Sequence, residues 1–170
     1  LAIVRNCFGG GTYGERMQRC NDYLKNWYKT TRCKSRIQGS MTLERVRPSG
    51  DWPKLRAKAA QTRHLAVFAL HLMTTFGQFE SHDEWVQRHD MLATGVIQLL
   101  VEFYDLLASE SQHLSMHAKG RFVVIGNQIG SLYAQLAKMS FDIGLKLWKT
   151  SQKHHLFIHL CCDQVSVMNP

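Results

Sequence analysis

The residues of this 170-residue chain that point beyond packing are its nine histidines, its five cysteines and an uneven supply of cations. His155 and His159 lie four apart with Cys162 three further on, and His113 and His117 repeat the interval. On a helix such pairs share a face, and neutral imidazoles and a thiolate are good zinc ligands. If the two pairs meet, His113, His117, His155 and His159 would form one metal site. The other metal signatures are incomplete. There is no H-E-x-x-H, and Glu110–His113 is a single E-x-x-H where a carboxylate-bridged di-iron bundle needs two and two further Glu. Cys162, beside Asp163 and near His159, has a nucleophile's neighbours but no independently placed base and orienting group.

A second constellation lies near the N-terminus. Tyr23, Trp27 and Tyr28 interleave with Lys25, Lys29, Arg32, Lys34 and Arg36. Aromatic faces stack on bases while cations neutralise phosphates, a combination suited to single-stranded or structured nucleic acid. The competing expectation packs the aromatics on the fold and leaves the cations in water. Arg45, Arg47, Lys54, Arg56 and Lys58 would extend the same surface. Residues 1–60 hold 13 Lys and Arg against 4 Asp and Glu, whereas residues 61–170 hold 8 against 9. The net charge of +8 is therefore concentrated in the first third of the chain, where it would attract a polyanion: nucleic acid, an anionic membrane face or an acidic protein. Protonation of the histidines would strengthen that attraction as pH falls through about 6.5.

Two glycine patterns complete the inventory. Gly9-Gly10-Gly11-Thr12-Tyr13-Gly14 satisfies G-x-G-x-x-G and resembles the Gly-Thr-Tyr-Gly loop of protein kinases. The chain has neither the H-R-D nor the D-F-G that a kinase also needs, and with no G-K-S or G-K-T a P-loop is out. A dinucleotide fold would need alternating strands and helices, and a flexible turn is expected instead. Gly126 and Gly130 form G-x-x-x-G inside a helical pattern. Each glycine costs about 1 kcal/mol of helix propensity relative to alanine, so the pair implies close approach of a neighbouring helix, with Asn127 and Gln128 able to bond across it.

The elements that must position these residues are helical. Leu1–Val4 could be a strand, a short helix fits Tyr23–Tyr28, and Arg47-Pro48-Ser49-Gly50 reads as a linker. Beyond it, a helix over 53–77 sets Leu65, Phe68, Leu72 and Phe76 on one stripe and ends at Gly77, with Asp51 or Trp52 before Pro53 as its start. Ser81-His82-Asp83-Glu84 fits a capping box for a second helix over 82–108. That helix carries Trp85, Leu92, Val96, Leu99, Phe103 and Leu106. A third, starting near Ser111 to Ser115, carries Ile125, Ile129, Leu132, Leu136, Met139 and Ile143 in steps of 4, 3, 4, 3, 4. Two matching seams joined by a short polar link predict an antiparallel hairpin, and 151–162 would supply a fourth helix. The predicted fold is all-α: a three- or four-helix bundle over 51–170, with residues 1–50 as a basic, partly irregular arm. Glu102 and Asp105 interrupt the best apolar run, so no membrane span is expected.

Gln152-Lys153-His154-His155-Leu156-Phe157-Ile158-His159 resembles a segment of uncharacterised helical proteins encoded by repetitive or mobile DNA, in which a Lys-His-His cluster follows long amphipathic helices. The likeness spans about residues 55–160 and is distinctive only over these eight residues; the aromatic-rich region that follows in those proteins has no counterpart here. It implies a non-catalytic or accessory part of an element-encoded protein, compatible with nucleic-acid contact. An odd cysteine count without a secretory signal predicts free thiols in a reducing, intracellular compartment. The start at Leu1 predicts a processed chain or a piece of a longer one. The function expected is a non-enzymatic binding module: the arm contacts nucleic acid and the bundle mediates protein association, including self-association, without a cofactor. The alternatives are a metal-dependent helical enzyme fragment using zinc at the four histidines, and a purely structural helical protein.

Overall fold

The computed structural model of the chain describes residues 7–33, 35–46, 59–111 and 113–164. The expected strand at Leu1–Val4, the linker 47–50, the helix start at 51–53, Lys34 and the cations Arg47, Lys54, Arg56 and Lys58 lie outside the described residues. Among the described residues there are six α-helices and no strand: α1 Tyr13–Thr30, α2 Leu43–Val46, α3 Ala59–Phe76, α4 Glu84–Ser109, α5 Met116–Asp142 and α6 Gln152–His159, the last continued by a π-helical turn, Leu160–Gln164. The protein is an all-α bundle.

The hairpin is formed by α4 and α5. Trp85, at the start of α4, donates its indole N–H to the Met139 carbonyl near the end of α5 (3.4 Å). Ala93 and Val96 pack with Leu136. Phe103 meets Phe122 edge to face with ring centroids 5.2 Å apart. Arg121 forks onto the two oxygens of Glu102. Positions rising along α4 thus pair with positions falling along α5, which makes the pair antiparallel. Ile143, the expected last member of the second seam, is 48% exposed. The helix ends at Asp142, and Gly144 turns the chain away in the left-handed region at φ 69°.

Capping chemistry sets the boundaries. Helix α4 starts two residues later than the expected box, because Asp83 rather than Ser81 is the cap: its carboxylate accepts from the N–H groups of Trp85 (2.9 Å) and Val86 (3.2 Å). A carboxylate there also faces the positive end of the helix. Ser115 caps α5 by accepting from Ala118 N–H (3.1 Å), which leaves His113 in the connection.

The short helix expected at Tyr23–Tyr28 is longer in the structure and spans residues 13–30. They form an 18-residue helix capped by a reciprocal Thr12–Glu15 box. Met17, Cys20, Leu24, Trp27 and Tyr28 bury against Leu65, Phe68 and Leu72 of α3 in one core, drawn from both sides of the 50/51 boundary. Asn21 pins the loop that follows: its amide donates to Met41 O (2.8 Å) and its oxygen accepts from Met41 N–H (2.6 Å).

Between the α3–α4 connection, α4 and the segment after α5 lies a buried polar network. His89 and Asp90 have 0% exposure. The Trp148 indole donates to His89 Nε2 (3.0 Å), which leaves Nδ1 to carry the proton toward Asp90 Oδ1 (2.9 Å). The second Asp90 oxygen accepts from Gln78 N–H (3.0 Å), and Trp85 stacks on the His89 ring. Helix α4 is also long and apolar enough to cross a membrane by length and composition, with mean hydropathy 1.5 over its best window, which Glu102 and Asp105 do not prevent. In the bundle it packs along α3 and α5.

Candidate nucleic-acid interface and histidine pairs

The aromatics and the cations of α1 part company. Trp27 and Tyr28 are buried, Trp27 against the Phe68 ring at 5.4 Å. Tyr23 stacks on His71, and its hydroxyl lies 3.0 Å from His71 Nε2. The Tyr28 hydroxyl accepts from Ile37 N–H (3.2 Å), and burial raises its pKa above the ordinary tyrosine value. The aromatic face that a base would stack on is therefore the face α1 turns inward.

The cations remain on the outside. Lys25, Lys29, Arg32 and Arg36 are exposed. Lys25 lies 3.4 Å from Asp22, a pairing of two well-solvated groups that screening makes weak. Arg36 donates to the carbonyls of Cys33 (2.8 Å) and Tyr28 (3.2 Å) and lies over the Tyr28 ring, contacts that fix its position without neutralising it. Arg32 follows the C-cap of α1 with φ 51°, in the left-handed region normally given to glycine. Lys25, Lys29 and Arg36 line a groove of about 280 Å³ with Asn21, Tyr28 and Gly39.

The glycine loop does the reverse of cradling a phosphate. Its carbonyls point at cations: Arg19 donates to Gly9 O (2.9 Å) and Gly10 O (2.6 Å), and Arg16 to Gly11 O (3.1 Å). The N–H of Thr12 is taken by the Glu15 carboxylate (2.6 Å), and this bond is what lowers the Glu15 pKa. An anion arriving at this helix end would meet a carboxylate already in place.

The four histidines do not assemble into one site. Among the described residues no group of three or more His, Cys, Asp or Glu is arranged to hold a metal ion. His113 precedes α5, so it and His117 are not related by a helical turn. His155 and His159 do share a face of α6. Their Nε2 atoms are 2.9 Å apart, and Asp163 bonds the Nδ1 of His159. His154 points the other way. It accepts at Nδ1 from Ser151 N–H (3.2 Å), its ring lies against Tyr133 at 4.0 Å, and burial lowers its pKa.

The glycine pair of α5 is where α6 and the π-turn dock. A Cβ on Gly126 would fall 2.5 Å from Cys161 Cβ, and one on Gly130 would fall 2.9 Å from Ile158 Cδ1. Cys162 Sγ donates to Asn127 Oδ1 (3.5 Å) across the same contact. Burial pushes the thiols of Cys161 and Cys20 up to about 11 and that of Cys7 to about 12, values that oppose thiolate chemistry.

The buried His89–Asp90–Trp148 network is the feature the sequence reading passes over, although one signal exists. His89 falls four after Trp85 and three before Leu92. It occupies the missing place in the α4 seam, where a polar side chain must have a buried partner. No family model, curated protein or solved structure matches the chain.

Proposed function

We propose that the chain is a non-enzymatic binding module in which the outer face of α1 contacts the phosphate backbone of nucleic acid while the bundle mediates protein association. The observation that carries the reading is the cationic groove beside α1: Lys25, Lys29 and Arg36 converge on a cavity of about 280 Å³ with Arg32 exposed at the end of the same helix. A left-handed backbone costs a non-glycine residue roughly 1–2 kcal/mol, so an exposed arginine held there is consistent with a role for its side chain rather than its backbone. With Trp27 and Tyr28 committed to the core, binding rests on phosphate contacts rather than base stacking, and is tolerant of sequence.

The test is fluorescence anisotropy with labelled single- and double-stranded DNA of unrelated sequences. The wild-type chain binds all of them at about 50 mM salt, and Lys25→Ala/Lys29→Ala/Arg32→Ala binds all of them more weakly by a similar factor, with unchanged far-UV circular dichroism. Failure of the wild type to bind any of them at that salt defeats the reading.

A further inference from the structure

We infer that His155 and His159 form a two-imidazole site for a divalent first-row metal ion of tetragonal preference, Cu²⁺ or Ni²⁺, at the end of α6, independently of any nucleic-acid contact. The two Nε2 atoms are 2.9 Å apart on the exposed face of the helix. A metal–nitrogen bond is roughly 2.0–2.1 Å, so two nitrogens at that separation subtend about 90° at a common ion. That is the cis angle of square-planar or octahedral coordination; a tetrahedral zinc site would hold the nitrogens further apart.

The tautomer of His159 agrees. Asp163 engages Nδ1 of His159, and an ionised carboxylate there accepts the Nδ1 proton. This leaves Nε2 of His159 without a proton of its own and able to accept, from His155 or from an ion. Holding one ring nitrogen by a carboxylate is how protein sites fix the tautomer of a ligating histidine and raise its basicity. In the metal-free pair one proton joins the two Nε2 atoms. The ion takes the place of that proton: His155 gives it up to solvent at Nε2 and takes one up at Nδ1, so the ring stays neutral and no net proton is released. Two protein ligands leave the other equatorial positions to water. The site differs from the four-histidine arrangement because His113, in the connection before α5, and His117 take no part.

The experiment is a Cu²⁺ titration of the full chain followed by electron paramagnetic resonance, with affinities from competition against a chelator of known strength. The expected result is a tetragonal spectrum with coupling to two nitrogens at one equivalent of Cu²⁺. His155→Ala and His159→Ala each lose that two-nitrogen signature and at least tenfold in affinity, while His117→Ala keeps both. Asp163 is a positioning residue. Asp163→Asn keeps an acceptor oxygen but removes the charge, and is expected to weaken binding about tenfold or more with the two-nitrogen spectrum retained. Retention of wild-type affinity and spectrum by both His155→Ala and His159→Ala would overturn the assignment, as would equal losses in His117→Ala. Both readouts are independent of whether the chain binds DNA.

Discussion

At the scale of single residues, exposure and burial sort groups that look alike in the sequence. Cys161 and Cys162 are adjacent, yet Cys161 is fully buried with its thiol pushed up to about 11, whereas Cys162 is half-buried. In the folded chain iodoacetamide should modify Cys162 well before Cys161, Cys20 or Cys7, an order that mass spectrometry of a timed reaction would read directly. Earlier reaction of Cys161 would contradict the packing described. The neighbours His154 and His155 divide in the same way. Burial holds the His154 imidazole below the usual value of 6.5, so the folded chain keeps this ring neutral where the unfolded chain protonates it. The sign follows: its contribution to stability is present above pH 6.5 and is lost as pH falls below it. Urea unfolding at pH 7.5 and 5.5 should therefore show a larger loss for the wild type than for His154→Gln; equal losses would remove His154 from the account. None of these distinctions is legible in a sequence, where two adjacent residues of one type carry the same information.

At the scale of elements, legibility depends on how cleanly the apolar spacing is written. The 4, 3 seams of α4 and α5 specify the hairpin, and Gly77 and Ser115 stand where α3 ends and α5 begins. Only the Tyr23–Tyr28 part of helix α1 is legible, because its stripe, Met17, Cys20, Leu24 and Trp27, includes a cysteine and is bounded by glycines and threonines that read as loop. The G-x-x-x-G of α5 was legible as a close approach, but what approaches it, the turn carrying Cys161, could come only from tertiary structure. That contact makes a comparison within one helix possible. Gly120→Ala adds a Cβ into open space and should stabilise the chain by up to about 1 kcal/mol, the helix-propensity difference. Gly126→Ala gains the same propensity but forces Cys161 away, since the added carbon would lie 2.5 Å from Cys161 Cβ. It should destabilise on balance, with Cys161 becoming reactive to thiol reagents. Equal stabilisation by the two substitutions would show that the α6 segment does not dock there.

At the scale of the whole molecule, the basic N-terminal third and the helical bundle share one core, and this changes how the charge can act. A tail of cations and aromatics could wrap a single strand and stack on its bases. A helix whose aromatics are spent on Leu65, Phe68 and Leu72 offers only its charged outer face. The consequence is a division of labour that can be measured. Trp27→Ala, which empties a site in the α1–α3 core, should cost roughly 3–5 kcal/mol of stability. The exposed Lys25, Lys29 and Arg32 should each be replaceable by alanine within about 0.5 kcal/mol.

The most direct measurement of the central claim is the salt dependence of DNA binding for the wild-type chain and for Lys25→Ala/Lys29→Ala/Arg32→Ala, both at 25 °C. Each phosphate neutralised on a duplex contributes about −0.9 to the slope of log K against log salt. The account predicts that removing three phosphate contacts makes the slope shallower by about 2.7, with stability unchanged. Identical slopes for the two proteins, whatever their affinities, would contradict it and would remove the outer face of α1 from the binding surface.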